Sequence, residues 1–386
     1  MKPIFALPLA LLTAAALTAC GVTLPAQTPG ATALPGTTTG STAQAARTQR
    51  AAIAPALYEV VYSARQDAVF VASAGGFGPG APQSKLFRLD PRTLAVQGEI
   101  ALERKGFGLA LDDAANRVYI GNTTDASITV VDVAANKVVA TIQLAQKAKG
   151  ADGKEAYPHH LRELVLDPAN HRLYAPGLSS AGSALYVVDT RTLALEKVIP
   201  GFGQVATGVT LDAARQRLFV SNLRGGLFEV DTRTLAIRRN HAVGADQMLN
   251  LAYDAQGQRL FAVDQGLASI SERREKAEPG FKATPGNRVV VLDPTDARII
   301  ASLPTGDGPI APLLDLPRQR LYVTNRGAGT VTVFDSASYR LLQTIALPTH
   351  PNSLALDARN NVLYVSVKNG GGDEKGGNES VVRIAF

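Results

Sequence analysis

The sequence predicts an all-β protein folded as a seven-bladed β-propeller, with the ring closed by an N-terminal strand that completes the last blade. Three observations carry this. A unit of three short runs that alternate apolar and polar residues recurs along the chain, most clearly as 208–212, 216–222 and 226–235; a period of two is the pattern of half-buried strands. An aromatic residue recurs in the second run seven times, at Phe70, Tyr119, Tyr174, Phe219, Phe261, Tyr322 and Tyr364, and an aspartate ends the third run at Asp90, Asp132, Asp189, Asp231, Asp293 and Asp335. Residues 47–386 shared among seven units give about 49 each, close to the length of a four-stranded blade of about 40–50 residues.

The chain begins with a basic Lys2, an apolar run from Ile4 to Leu17 and then Thr18-Ala19-Cys20-Gly21. This reads as a secretory leader over residues 1–19, too short for a membrane span of about 20 residues. Cys20, the sole cysteine, follows small residues where it resembles the lipobox cysteine of bacterial lipoproteins, and is expected to carry the lipid that anchors the chain. Gly21 in place of an acidic residue favours the outer membrane by the same resemblance. Several acyl chains at about 0.8 kcal/mol per buried CH₂ suffice for stable anchoring. Residues 20–46 carry no charge until Arg47 and are rich in Thr, Ala, Gly, Pro, Ser and Gln, the composition of a disordered tether. The propeller is expected over 47–386.

Of the 386 residues 46% are apolar and 19% charged, with a net charge of +6 and no tryptophan. One cysteine excludes a disulfide framework, a thiolate zinc site and a c-type haem attachment sequence. The charge is mildly basic, which alone does not mark a nucleic-acid binder.

The seventh unit supplies only three runs, 353–357, 362–367 and 380–386, before the chain ends. Residues 47–54 precede the first unit's inner strand and are expected to supply the fourth, removing an exposed sheet edge. Leu321-Tyr322-Val323-Thr324-Asn325, followed by Gly329-Thr330-Val331-Thr332-Val333-Phe334-Asp335, resembles the YVTN-repeat propellers, and residues from about 47 to 386 resemble their periplasmic YncE-like members. The resemblance implies the fold strongly and function weakly, because related propellers include DNA binders, surface-layer proteins and enzymes.

With strands A to D running outward in each blade, the D–A and B–C connections share one face. The long insertions 75–85, 145–162, 177–183, 266–287 and 369–380 all fall on it, and function is expected there. They bring Lys147, Lys149, Lys154, Arg273, Arg274 and Lys282, candidates for contact with a polyanion, close to Phe77, Phe107, Tyr157, Phe202 and Phe281. Cations track phosphates while rings stack on bases, which fits single-stranded DNA, the ligand that the YncE-like resemblance implies. The short-turn face holds many arginines, among them Arg92, Arg191, Arg215, Arg217 and Arg318, and these are expected to pair with turn carboxylates.

Candidate funnel residues where inner strands begin are Lys105, Phe107, His159, His160, Arg162, Glu163, Gln204, Gln247, Asn250, His350 and Asn352. Adjacent His159 and His160 point oppositely in extended chain and do not grasp one ion; no metal and no cofactor is expected, and no catalytic residue is assigned. The expected function is a non-enzymatic, envelope-anchored binding or scaffold propeller, monomeric, held to the membrane by its lipid, with single-stranded DNA, another polyanion or an envelope protein as partner. The alternative is a small-molecule enzyme of lyase or lactonase type, metal-dependent in one version, using His159, Glu163, Asn250 and His350.

Overall fold

The computed structural model describes residues 46–149 and 153–386; the leader, Cys20 and the tether up to residue 45 lie outside them. Seven antiparallel sheets follow one another around a ring. Blade 4 is typical: Ala206–Asp212 is innermost, followed outward by Arg217–Asn222, Gly226–Asp231 and Ala236–Ala242. Among the described residues no helix is long and apolar enough to cross a membrane.

The repeated aromatics show why the period exists. Phe70, Tyr119, Tyr174, Phe219, Phe261, Tyr322 and Tyr364 are all at most 1% exposed, and each lies in a separate apolar cluster filling the seam between its own blade and the next. The cluster of Tyr364 joins Val362 and Ala355 of blade 7 to Val60, Val69 and Leu89 of blade 1, so the seventh seam closes the ring. Replacing such a ring by alanine costs about 3–5 kcal/mol.

The repeated aspartates shape the C–D turns. Asp90 Oδ1 accepts from the backbone N–H groups of Arg92 and Thr93, each at 2.8 Å, and Asp189, Asp231 and Asp335 repeat the arrangement. These amides hold the Asp189 carboxyl down at about 2, because hydrogen bonds to the ionised form favour it.

The expected closure is observed. Arg47–Ala54 pairs antiparallel with Glu379–Ala385 from Arg47↔Ala385 to Ala54↔Glu379 and forms the outer edge of the blade built on His350–Asp357. The insertion 265–287 contains a ten-residue helix, Ala268–Ala277. It has no apolar stripe, and polar anchors hold it: the Gln247 amide accepts from Leu267 N–H at 2.8 Å and donates to Ser271 Oγ at 2.9 Å, while Arg274 reaches Asp246 at 3.2 Å.

Candidate binding site in the axial funnel

Every inner strand starts with an irregularity. In blade 1 Leu57 pairs with Ser73, but the next regular pair is Val60↔Val71; blades 2, 4, 5 and 6 repeat the offset. In blade 3 pairing lapses altogether between Leu161 and Val165. Counting two residues back from the one that faces each repeat aromatic gives Glu59, Gly108, Glu163, Gly208, Asn250, Ala311 and Ser353. The ring they form surrounds the axis, because its members and the residues beside them bond across blades that are not neighbours. Asn250 Nδ2 of blade 5 donates to Glu163 Oε1 of blade 3 at 2.7 Å, passing blade 4, and Arg162 of blade 3 donates to the Tyr58 hydroxyl of blade 1, passing blade 2.

Glycine is required where blades 2 and 4 are passed. A Cβ on Gly108 would lie 2.2 Å from the Arg162 carbonyl oxygen, and one on Gly208 would lie 2.4 Å from that of Leu249. Blade 1 meets blade 7 through Ser353, which donates to Glu59 Oε1 at 2.5 Å and accepts from Val60 N–H at 3.1 Å.

Above this ring, at the D–A/B–C mouth, sit Tyr58, Phe107, Arg326 and Lys368. Phe107 stacks on Tyr58 with centroids 4.2 Å apart, and Phe77 meets Phe107 edge-on at 5.9 Å. Lys368 donates to the Leu57 carbonyl at 2.5 Å and pairs with Glu379 at 3.0 Å. The Arg326 guanidinium makes no hydrogen bond or ion pair among the described residues.

Crowding by protein sets the electrostatics. Desolvation, then the neighbouring Glu163 charge, pushes the Glu59 carboxyl up to about 8; Glu163 is also raised, chiefly by burial, against the pull of Arg162 and Asn250. Two carboxyls in one confined space cannot both ionise easily, so near neutrality the pair holds a proton. The same desolvation lowers Arg326 and Lys368 and raises the Tyr58 hydroxyl.

Of the funnel residues expected from sequence, the structure brings Arg162, Glu163 and Asn250 together, with Phe107 at the mouth. Lys105 reaches the Pro82 carbonyl at 3.4 Å. His159 turns into its own blade, its Nδ1 2.6 Å from the Tyr186 hydroxyl and its Nε2 3.1 Å from the Gly182 carbonyl, and burial lowers its pKa. His160 contacts the Thr123 carbonyl and His350 the Arg326 carbonyl. Gln204 is exposed, Gln247 anchors the helix, and Asn352 is buried with its carbonyl bonded to Thr324.

Among the candidate polyanion contacts, Lys149, Lys154, Arg273 and Lys282 are exposed. Lys147 lies over the Tyr157 ring at 5.4 Å. Arg274 is buried between Asp246, Glu278 and the Phe281 ring. Tyr58, Glu59, Ser353 and Arg326 were not expected, and Lys368 was read from sequence only as one of the basic residues of the insertion-rich face. Aligning the units on their aromatics would have revealed them: Glu59 and Glu163 share one position, and Arg326 and Lys368 each stand four residues after the aromatic.

No protein-family model matches the chain. The YncE protein of Salmonella typhimurium is 31% identical over 350 residues, covering 87% of this chain and 90% of that protein. YncE of Escherichia coli strain K12 is 30% identical over 330 residues, covering 83% and 84%. Hydrazine synthase of Kuenenia stuttgartiensis superposes with a TM-score of 0.65 at 16% identity, over 86% of this chain and 96% of that one, a likeness of fold alone. On the extent and identity of the first two matches, the chain belongs to the YncE-like family of β-propeller proteins.

Proposed function

We propose that the protein is a non-enzymatic binding propeller that takes a flexible polyanion, single-stranded DNA foremost, across its D–A/B–C face, anchored in the periplasm through lipid on Cys20 with the outer membrane favoured. One observation carries the reading: at the funnel mouth the exposed Phe77 ring, 52% accessible, meets the Phe107–Tyr58 stack beside the Arg326 guanidinium, which is unpaired among the described residues. A ring open to solvent next to a cation suits a base and its phosphate, and each stacked base contributes about 1–3 kcal/mol. The exposed Lys149, Arg273 and Lys282 extend the track outward.

Fluorescent single-stranded DNA titrated into the leaderless protein over a salt series tests this. The expected Kd is micromolar at low salt, weakening steeply as counterions compete; a Kd above about 100 μM at low salt would overturn it, since non-specific binding ordinarily reaches about 10⁻⁴–10⁻⁶ M. Phe77→Ala is expected to weaken binding about tenfold, or about 1.4 kcal/mol. The anchor is tested separately by the mass of the N-terminal peptide from membrane-extracted protein, which should carry acyl chains on Cys20.

A second reading, a small-molecule lyase or lactonase in the funnel, is favoured by the Glu59–Glu163 pair, which keeps a proton near neutrality as a general acid does. Turnover of a lactone or uronide substrate that disappears in Glu163→Gln would establish it.

A further inference from the structure

The floor of the funnel offers three hydrogen-bond acceptors from alternate blades that no donor among the described residues reaches. Asn250 is 7% exposed; its amide nitrogen is spent on Glu163, and its Oδ1 is buried without a partner. Leaving a buried acceptor unsatisfied is costly, so the position calls for a donor. Glu163 and Glu59 each use one carboxyl oxygen, on Asn250 and Ser353, and each keeps a second. An ammonium group has three donors and no acceptor, which matches this set. At the mouth stands the complementary charge, the Arg326 guanidinium, which has no hydrogen bond or ion pair among the described residues.

We propose that the funnel binds a small zwitterion of the ω-amino acid type, its ammonium seated between Glu59, Glu163 and the Asn250 amide oxygen and its carboxylate on Arg326. This goes beyond the polyanion reading and shares only the Arg326 guanidinium with it: an oligonucleotide engages the rim and has no ammonium to place on Glu59, Glu163 and Asn250, so proton release on binding separates the two.

Every charged or titratable group facing the pair enters the linkage. Glu59 faces Glu163 and Arg162 from blade 3, and Glu163 faces Arg162 and Asn250; Tyr58 lies against Arg162, and Arg326, Lys368 and Glu379 stand at the mouth. Lys368 is neutralised by Glu379, which leaves Arg326 for the ligand. An ammonium ion between the two carboxyls removes the reason for them to hold a proton, so binding expels it.

Isothermal titration of the leaderless protein with glycine, β-alanine, γ-aminobutyrate, 5-aminovalerate and 6-aminohexanoate, alongside n-butylamine and butyrate, tests the proposal. One chain length is expected to bind with a Kd below about 1 mM, at least tenfold tighter than either one-ended probe. Comparing buffers of different ionisation enthalpy should show close to one proton released at pH 7, and affinity should rise about tenfold per pH unit until it flattens near 8. Arg326→Ala, at a side chain with no hydrogen bond or ion pair among the described residues, is expected to weaken the zwitterion at least tenfold and leave n-butylamine unchanged; Glu59→Gln, which removes the carboxyl raised to about 8, should abolish most of the proton release. No binding of any member at 10 mM, butyrate binding as tightly as the best zwitterion, or binding without proton release would each overturn it.

Discussion

Glu59 owes its properties to position, since a glutamate elsewhere in that strand would face a seam or solvent. Its carboxyl, held near 8, binds a proton more tightly in the folded protein than in the unfolded chain, where the value is about 4.3. A group raised on folding contributes stability that is complete below its unfolded value and is lost as pH rises through its folded one. Glu59→Gln copies the protonated shape, so its Tm is expected to match the native value below the unfolded value, at pH 3.5, and to exceed it by several degrees at pH 9, above the folded one; calorimetric scans at both values check this, and equal Tm at pH 9 would mean that folding does not raise the Glu59 carboxyl. Gly108→Ala makes a different demand. Its Cβ would press on the Arg162 carbonyl at 2.2 Å, so denaturation should show a loss of about 1–3 kcal/mol, the cost of overpacking. Arg162 and Glu163 were legible because the entry of blade 3 concentrates polar residues over 157–163, and Asn250 because it is an amide at the matching entry of blade 5. Tyr58 and Glu59 were not, because Leu57-Tyr58-Glu59-Val60 reads as an ordinary alternating strand. Only the register, Leu57↔Ser73 followed by Val60↔Val71, turns Glu59 from a strand face to the axis.

At the scale of elements, the strand Arg47–Ala54 works by covering an edge. Without it the backbone of Glu379–Ala385 would offer a row of unpaired groups to another chain. Its side chains also bind it to both ends of the ring: Arg50 Nε donates to Ser380 Oγ at 2.9 Å in blade 7, and Gln49 donates to the Thr93 carbonyl at 3.0 Å in blade 1. Removing residues up to 54 is expected to lower the Tm by more than 5 °C, about 2 kcal/mol or more for a domain of this size, and to produce concentration-dependent association; a monomer in sedimentation with unchanged Tm would refute the role. This strand was legible by counting, since the last unit has three runs and a ring needs a fourth. The helix Ala268–Ala277 was not, because sequence reading looks for an apolar stripe and this helix is fixed by Gln247 and by Arg274 on Asp246, polar contacts that exist only after folding.

The whole molecule is asymmetric between its two faces, and this decides where an anion can bind. On the short-turn face several arginines are already occupied: Arg92 pairs with Asp67 at 3.0 Å, Arg191 with Asp189 at 3.2 Å, Arg217 with Asp212 at 2.8 Å and Arg318 with Asp315 at 3.2 Å. The net charge of +6 therefore overstates the field there, and a phosphate would have to displace a carboxylate to gain a contact. Exposed pairs of this kind contribute only about 0–1 kcal/mol to stability, so Arg92→Ala with Arg191→Ala should leave the fold intact and serve as a control. On the opposite face Lys149, Arg273 and Lys282 are exposed in the long insertions. Replacing all three by alanine is expected to weaken single-stranded DNA and to reduce the slope of log K against log salt by about 0.7 for each phosphate no longer neutralised, while the Arg92 and Arg191 pair of substitutions leaves both affinity and slope unchanged. The reverse pattern would place the binding surface on the arginine-rich face, and with it would fall the inference that long loops mark the working side of this ring.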